Sequence, residues 1–290
     1  MKSSQMGLLV GCVAVLLFAG SAGATPIDYI FTGTGTGTLN GISWGGSYTV
    51  TEVANTSGVT GPSGGEFTNV ASSATFAVGA VNEVQSLAIS GASGTYTLTF
   101  NGQTTAALAF NATALSVQAA LNALTSIGGV GGSVSVAGSG GSFNVTFGGT
   151  LAATNVSQIT ATGAGGTSVI ASTITNGQSA LTATLTGTTN EVLDNTNAPG
   201  FVGFAQLPAV AVEATIAAAF ESYHLNTALP LTIGTPSTPI NSTPYSTSAG
   251  NLVFSTITAL DFQAVVPEPA SLALLGVGLL GLVAARRRAV

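Results

Sequence analysis

The chain is 290 residues long and carries 39 glycines, yet only 5% of its residues are charged, against about 25% in a typical soluble domain. All four cations lie near the ends, as Lys2, Arg286, Arg287 and Arg288, while nine of the ten acids fall between Asp28 and Asp261. A body without Lys or Arg excludes nucleic acid as a partner, because binding phosphate means displacing counterions with cations, and it suits anionic membranes equally poorly.

Lys2 is followed by an apolar run over 6–19 and then by Ser21-Ala22-Gly23-Ala24. A basic start, a short hydrophobic stretch and an A-x-A site at Ala22 and Ala24 read as a secretory signal peptide over 1–24, cut after Ala24. A membrane anchor is the competing reading, but the run is short for a span. Leu9-Val10-Gly11-Cys12 matches a lipobox only superficially, since the apolar segment continues past Cys12 to Phe18. Removal of the peptide leaves no cysteine, and so no disulfide and no thiolate metal site.

From Tyr29 the sequence alternates strictly. Tyr29, Phe31, Gly33, Gly35, Gly37 and Leu39 share one face, and Ile30, Thr32, Thr34, Thr36 and Thr38 share the other. Period two predicts a β-strand with Thr outward. Asn40-Gly41 and Gly45-Gly46 supply turn chemistry, and 47–51 and 74–78 read as further short strands. Near the other end Leu252, Phe254, Thr256, Thr258, Leu260 and Phe262 alternate with Val253, Ser255, Ile257, Ala259, Asp261 and Gln263. The fold class these imply is mainly β, an antiparallel sandwich-like body.

The middle has an internal repeat. Leu87 to Gly102 recurs as Val134 to Gly149, with Gly91/Gly138, Gly94/Gly141, Thr99/Thr146, Phe100/Phe147 and Gly102/Gly149 identical. Each copy predicts a hairpin turning at its Gly-x-x-Gly. Between them, 114–124 puts Val117, Leu121 and Leu124 on one helical face, with Thr113 as N-cap and Gly128 as the stop. A last strand over 167–175 completes an α+β unit of hairpin, helix and hairpin. Its segments Phe-Asn-Gly-Gln-Thr-Thr at 100–105, Val-Gln-Ala-Ala-Leu at 117–121 and Val-Thr-Phe-Gly-Gly at 145–149 resemble a repeat module of bacterial surface and phage virion proteins. That resemblance implies an architectural role and brings no catalytic residues.

At the far end Val266-Pro267-Glu268-Pro269 precedes an apolar stretch over 270–285 and then Arg286, Arg287 and Arg288. Sixteen apolar residues fall short of the roughly 20 of a full span. Terminal arginines offset part of that shortfall by snorkelling, and they hold their end in the cytoplasm. Motif, hydrophobic helix and arginine cluster, in that order, resemble the PEP-CTERM sorting signal. The resemblance implies transient anchoring in the inner membrane, processing by an exosortase-type enzyme at the motif Pro267, Glu268 and Pro269, and delivery to the cell envelope or extracellular matrix. Tyr29 to Leu39, together with 222–229 and 250–254, resembles the two ends of a PEP-CTERM body family. The predicted organisation is therefore a signal peptide (1–24), a discontinuous β body (25–82 and 178–266), an inserted α+β module (83–177) and a sorting signal (267–290). Two domains in series is the alternative.

Reactive groups are few. Gly41-Ile42-Ser43-Trp44-Gly45 spells a nucleophile elbow, but that device needs a helix after the Ser, and a strand is predicted there. Gly276, Gly278 and Gly281 spell a dinucleotide fingerprint inside the apolar tail, where small residues of a membrane helix explain them. His224, the sole histidine, has Glu221 and Ser222 as neighbours but no spacing partner, and a metal site needs several ligands. Glu191, Asp194, Asn195 and Asn197 form the densest oxygen cluster, without calcium-loop spacing; an Asx-capped turn is the blander reading. Trp44, Tyr48, Tyr223 and Tyr245 offer either a sugar-stacking surface or core. No two acids stand in a glycosidase-like motif.

These observations predict no cofactor, no metal and no catalytic residue. The expected role is an exported structural or adhesive element of the envelope or biofilm matrix. A glycan-binding module contacting exopolysaccharide is the alternative, and a carboxylate-dependent polysaccharide hydrolase stands behind it. Sheet edges without Lys also predict self-association, which salt would promote.

Overall fold

The computed structural model describes residues 24–63, 66–194, 200–206, 209–216, 223–236 and 243–267. The chain opens with β1 (Pro26–Leu39), β2 (Ile42–Asn55), β3 (Val59–Ser63), β4 (Glu66–Val70) and β5 (Ser73–Val78). Next come β6 (Val84–Ser90), β7 (Thr95–Phe100), β8 (Gln103–Thr104), β9 (Leu108–Ala109), the helix α1 (Ala114–Asn122), β10 (Gly132–Ser139), β11 (Ser142–Gly149), β12 (Thr160–Ala164) and β13 (Ser168–Thr175). Last are β14 (Leu181–Thr184), β15 (Thr189–Asp194), β16 (Gly200–Gln206), β17 (Ala209–Ile216), β18 (Leu229–Pro236), β19 (Tyr245–Thr247) and β20 (Gly250–Val265). The protein is mainly β, and every strand pairing is antiparallel.

One twelve-stranded sheet runs β14-β5-β2-β1-β20-β18-β17-β16-β15-β4-β3, with β19 added beside β20. Its stretches face one another across a single core, where Phe31 of β1 meets Phe204 of β16 edge-on at 5.4 Å. The link between β4 and β5 fastens the two faces: Ala71 N–H donates to Thr189 O at 2.9 Å and Ser72 N–H to Val53 O at 2.7 Å. Strict alternation on β1 is the reason for this core, since Tyr29, Phe31, Gly33, Gly35, Gly37 and Leu39 are all buried. The β1–β2 turn falls at Asn40 and Gly41, both with positive φ (50° and 79°), as a primed two-residue hairpin requires.

The second expected turn, Gly45-Gly46, is not a turn. β2 continues through it, with Gly45 opposite Thr36 and Gly46 opposite Gly35, because the paired backbone of β1 extends along its whole length. β20 also departs from flat alternation. Register shifts between Thr34 and Gly35 and between Thr36 and Gly37 rotate Thr256 and Thr258 outward, where their hydroxyls meet those of Thr36 and Thr34 at 2.7 Å. Ile257 turns toward the core instead.

Residues between β5 and β14 leave the large sheet and return to it beside their point of departure, since β5 and β14 pair with each other. They form two further sheets, β10-β11-β6-β13 and β12-β7-β8 with β9 beside β7. A second core built on Leu98, Phe100, Val117, Leu121, Val145 and Phe147 joins them. The helix is capped by Thr113, whose hydroxyl accepts from Ser116 N–H at 3.2 Å. It ends at Asn122 with Ala123 as cap, earlier than Gly128, because the Asn122 side chain is engaged by both backbone groups of Val134.

Only one copy of the repeat is a hairpin. β10 and β11 turn at Gly140 and Gly141, with Ser139 opposite Ser142. In the first copy β6 and β7 part company and enter different sheets, so the expected hairpin there is corrected. The turn that joins β12 to β13, which likewise enter different sheets, occupies the gap: Thr167 Oγ1 donates to Ser93 O at 2.8 Å, and a Cβ on Gly91 would lie 2.3 Å from Gly166 O. Gly-x-x-Gly permits either outcome, and pairing with β12 and β13 decides between them.

Candidate functional site

The sorting tail leaves the fold from β20, which lies between β1 and β18 inside the large sheet. Val266 packs on the core and Pro267 is exposed. At the other end Ala24 is exposed just ahead of β1. Ala22, Glu268, Pro269, Arg286, Arg287 and Arg288 lie outside the described residues, as do the rest of the signal peptide and the apolar stretch 270–285. Among the described residues no helix is long and apolar enough to cross a membrane.

The candidates for chemistry disperse. Ser43 sits exposed within β2 opposite Thr38, with strand on both sides of it. His224 is exposed, its ring 4.7 Å from that of Phe67, and Glu221 and Ser222 lie outside the described residues. Asn195, Asn197 and the tail glycines Gly276, Gly278 and Gly281 also fall outside them. Trp44, Tyr48, Tyr223 and Tyr245 are 2–5% exposed and belong to the core. A sugar has no aromatic face to stack on there. Among the described residues no three His, Cys, Asp or Glu side chains gather as metal ligands.

The structure instead assembles a buried acid pair that sequence reasoning missed. Glu52 of β2 and Glu191 of β15 are both 0% exposed within the large core. Glu52 is held in register between Tyr29 and Ala74, and Glu191 between Asn69 and Phe204. The Asn69 side chain bridges the two faces by donating to Tyr29 Oη at 2.7 Å and to Asn55 O at 3.0 Å. Tyr29 in turn donates to Leu225 O at 2.5 Å. Neither carboxyl receives a donor among the described residues, yet each lies within hydrogen-bonding reach of the other. Burial pushes Glu52 up to about 8, an effect moderated by its bond to Glu191. Burial, then the charge and hydrogen bond of Glu52, push Glu191 well above the usual carboxylate range. The signal was present in the sequence: Glu52 occupies the inward phase of Tyr48, Val50, Glu52 and Ala54, a place where period two calls for an apolar residue.

Two buried tyrosines of the large core, Tyr29 in this cluster and Tyr48 farther along β2, differ in a measurable way. Tyr29 is bonded on both sides, whereas the buried Tyr48 hydroxyl has no partner among the described residues. Tyr29→Phe is therefore expected to cost about 1–3 kcal/mol, and Tyr48→Phe to be neutral or to stabilise by about 1 kcal/mol, in urea denaturation.

A neutral crevice lies where the central module meets the large sheet. Two adjoining hollows of about 370 and 430 Å³ share Ser43, Asn155, Gly177 and Gln178. Gln178 pins the junction: its Oε1 accepts from Gly45 N–H at 2.8 Å, its Nε2 donates to Gly79 O at 3.1 Å, and its backbone bridges to Val81. No charged residue lines either hollow.

Comparison with known families finds the PEP-CTERM protein-sorting motif over residues 265–288. The motif implies export and sorting to the surface or envelope. More particularly, it supports a PEP-CTERM protein, with an exosortase as its implied processing enzyme. No curated protein matches the chain, and the likeness of the central module to surface and virion repeats gains no support.

Proposed function

We propose that this protein is a non-catalytic structural or adhesive element of the cell envelope or extracellular matrix, released from its inner-membrane anchor by an exosortase. The observation that carries this reading is the sorting motif at 265–288, attached to a body whose acids and single histidine form no accessible catalytic group among the described residues. The Glu52–Glu191 pair is sealed in the core, where a polysaccharide has no access, and this argues against the hydrolase reading. Pairing of β5 with β14, together with two separate cores, supports a sandwich-like body (25–82 and 178–266) interrupted by an inserted module (83–177). The edge strand β13, with Ile170 and Ile174 exposed and no charge along it, supports edge-to-edge association of copies.

A glycan-binding role rests on the neutral crevice at Ser43, Asn155 and Gln178, whose hydroxyl and amide groups suit sugar hydroxyls. Saturable binding to a defined sugar on a glycan array would favour it over the structural role.

The main reading is tested by the intact mass of the protein recovered from the envelope or extracellular fraction. Expected is a chain lacking both the first 24 residues and the segment beyond the Pro267–Pro269 motif. Such a chain contains no Lys or Arg, so trypsin leaves it whole even after denaturation. A full-length chain found only in the cytosol overturns the reading.

A further inference from the structure

We propose that Glu52 and Glu191 form a proton-sharing carboxyl pair that acts as a pH-gated lock on the closure of the large sheet. The pair joins two stretches of sheet that lie far apart in strand order, β1–β2 and β15–β4. Register fixes both side chains inward, and Asn69 and Tyr29 bridge the same two stretches beside them.

Two carboxylates cannot bond each other without a proton, because each oxygen only accepts. With two protons the pair is neutral and doubly hydrogen-bonded. With one it is a single anion sharing a proton. With none, two like charges confront each other in an apolar core, and the protons have gone to solvent. A cation would be the usual remedy, but the chain has no Lys or Arg between Ser3 and Ala285. His224 is exposed, its ring tilted by 52° against that of Phe67.

The titratable groups beside the pair are Tyr29 on β1 and Tyr223 ahead of β18. Both phenols are pushed up, chiefly by burial, and stay neutral below alkaline pH. The residues that β4, β5 and β16 place opposite the pair are Asn69, Ala74 and Phe204, and β20 contributes Phe262 against Tyr29; none of these titrates.

Glu83 is the contrasting buried carboxyl of the same molecule, one surrounded by donors. It is equally inaccessible, but it accepts from the Gln85 amide at 2.5 Å, Val156 N–H at 2.8 Å and Gly177 N–H at 3.5 Å. Glu52 and Glu191 have no such donors among the described residues.

Linkage fixes the sign. Both carboxyls bind protons more tightly in the folded chain than in the unfolded one, so their contribution is most favourable below about pH 4.5 and is lost as pH rises toward and beyond about 8. The test uses the full chain in mild detergent, following thermal unfolding by the near-ultraviolet signal of Trp44 and infrared absorption of protonated carboxyl groups. Expected is a fall in Tm of about 10 °C or more between pH 5 and pH 9. Glu191→Gln should at least halve that slope. A protonated-carboxyl band should persist in the wild type at pH 7 and vanish in Glu52→Gln/Glu191→Gln.

Absence of the band at pH 7 in the wild type overturns the proposal, even if the glutamine variants fail to fold. So does a pH-independent Tm. A Tm that rises with added calcium and falls with chelator, without the band, also overturns it and identifies a cation-bridged pair instead.

Discussion

Gly37→Ala is expected to destabilise the large sheet by about 3 kcal/mol, an unusually high cost for one added methyl group. Gly37 lies on the inward face of β1, and a Cβ there would sit 2.0 Å from Val253 O and 2.6 Å from Trp44 Cζ2. Gly33 and Gly35 repeat the situation, with their Cβ positions 2.5 Å from Ala259 O and 2.2 Å from Thr256 O. The obstacles are backbone carbonyls of β20, so no rotamer change relieves the contact. The indole of Trp44 and the phenol of Tyr48 lie over Gly37 and Gly33, their direct cross-strand partners. Each ring fills the space its partner glycine vacates. Gly41→Ala is the control. Nothing lies within 4 Å of its Cβ position, and only the left-handed φ of 79° opposes the change, at about 1 kcal/mol. Urea denaturation of the two variants should separate them clearly; equal effects would mean that close packing on β1 is not what the glycines serve.

That same strand shows how far the sequence could be read. The burial of β1 follows from its own alternation, because a period-two face needs no knowledge of its partner. The bulges of β20 do not, since Thr256 and Thr258 keep the alternation of a flat strand, and only the register with Thr34–Gly37 turns them outward. Gly91 and Gly94 carry the same local signal as Gly138 and Gly141, yet the distant turn at Ala164–Thr167 packs against them, and β6 and β7 pair with β13 and β12 instead of with each other. Helix α1 was legible because its cap and apolar face are local. Glu52 and Glu191 stand 139 residues apart, so their meeting depends on closure of the whole sheet, although each sits at an inward phase that marks it as out of place. The sorting motif was readable in full because it is a linear signal, independent of the fold.

Phe254→Ala and Leu121→Ala should each destabilise one core and leave the other unchanged. Phe254 meets the rings of Trp44, Tyr48, Phe76, Phe204 and Tyr245 at 5.2–6.2 Å, and its removal opens a cavity expected to cost about 3–5 kcal/mol. Leu121 is 0% exposed in the core of the central module, and its truncation should cost about 2–5 kcal/mol. The connection between the two units is slight: Ala153 N–H donates to Asn82 Oδ1 at 2.9 Å and Ser179 Oγ to Ala153 O at 3.2 Å, beside the Val81–Gln178 bridge that closes the body and the neutral crevice around it. Each unit closes its own sheets and buries its own aromatic cluster. Calorimetry of the full chain should therefore resolve two transitions, with Phe254→Ala lowering one and Leu121→Ala the other. A single transition displaced as a whole by either substitution would show instead that the central module and the large sheet fold as one cooperative body, and that the return of the chain from β5 to β14 is a matter of topology alone.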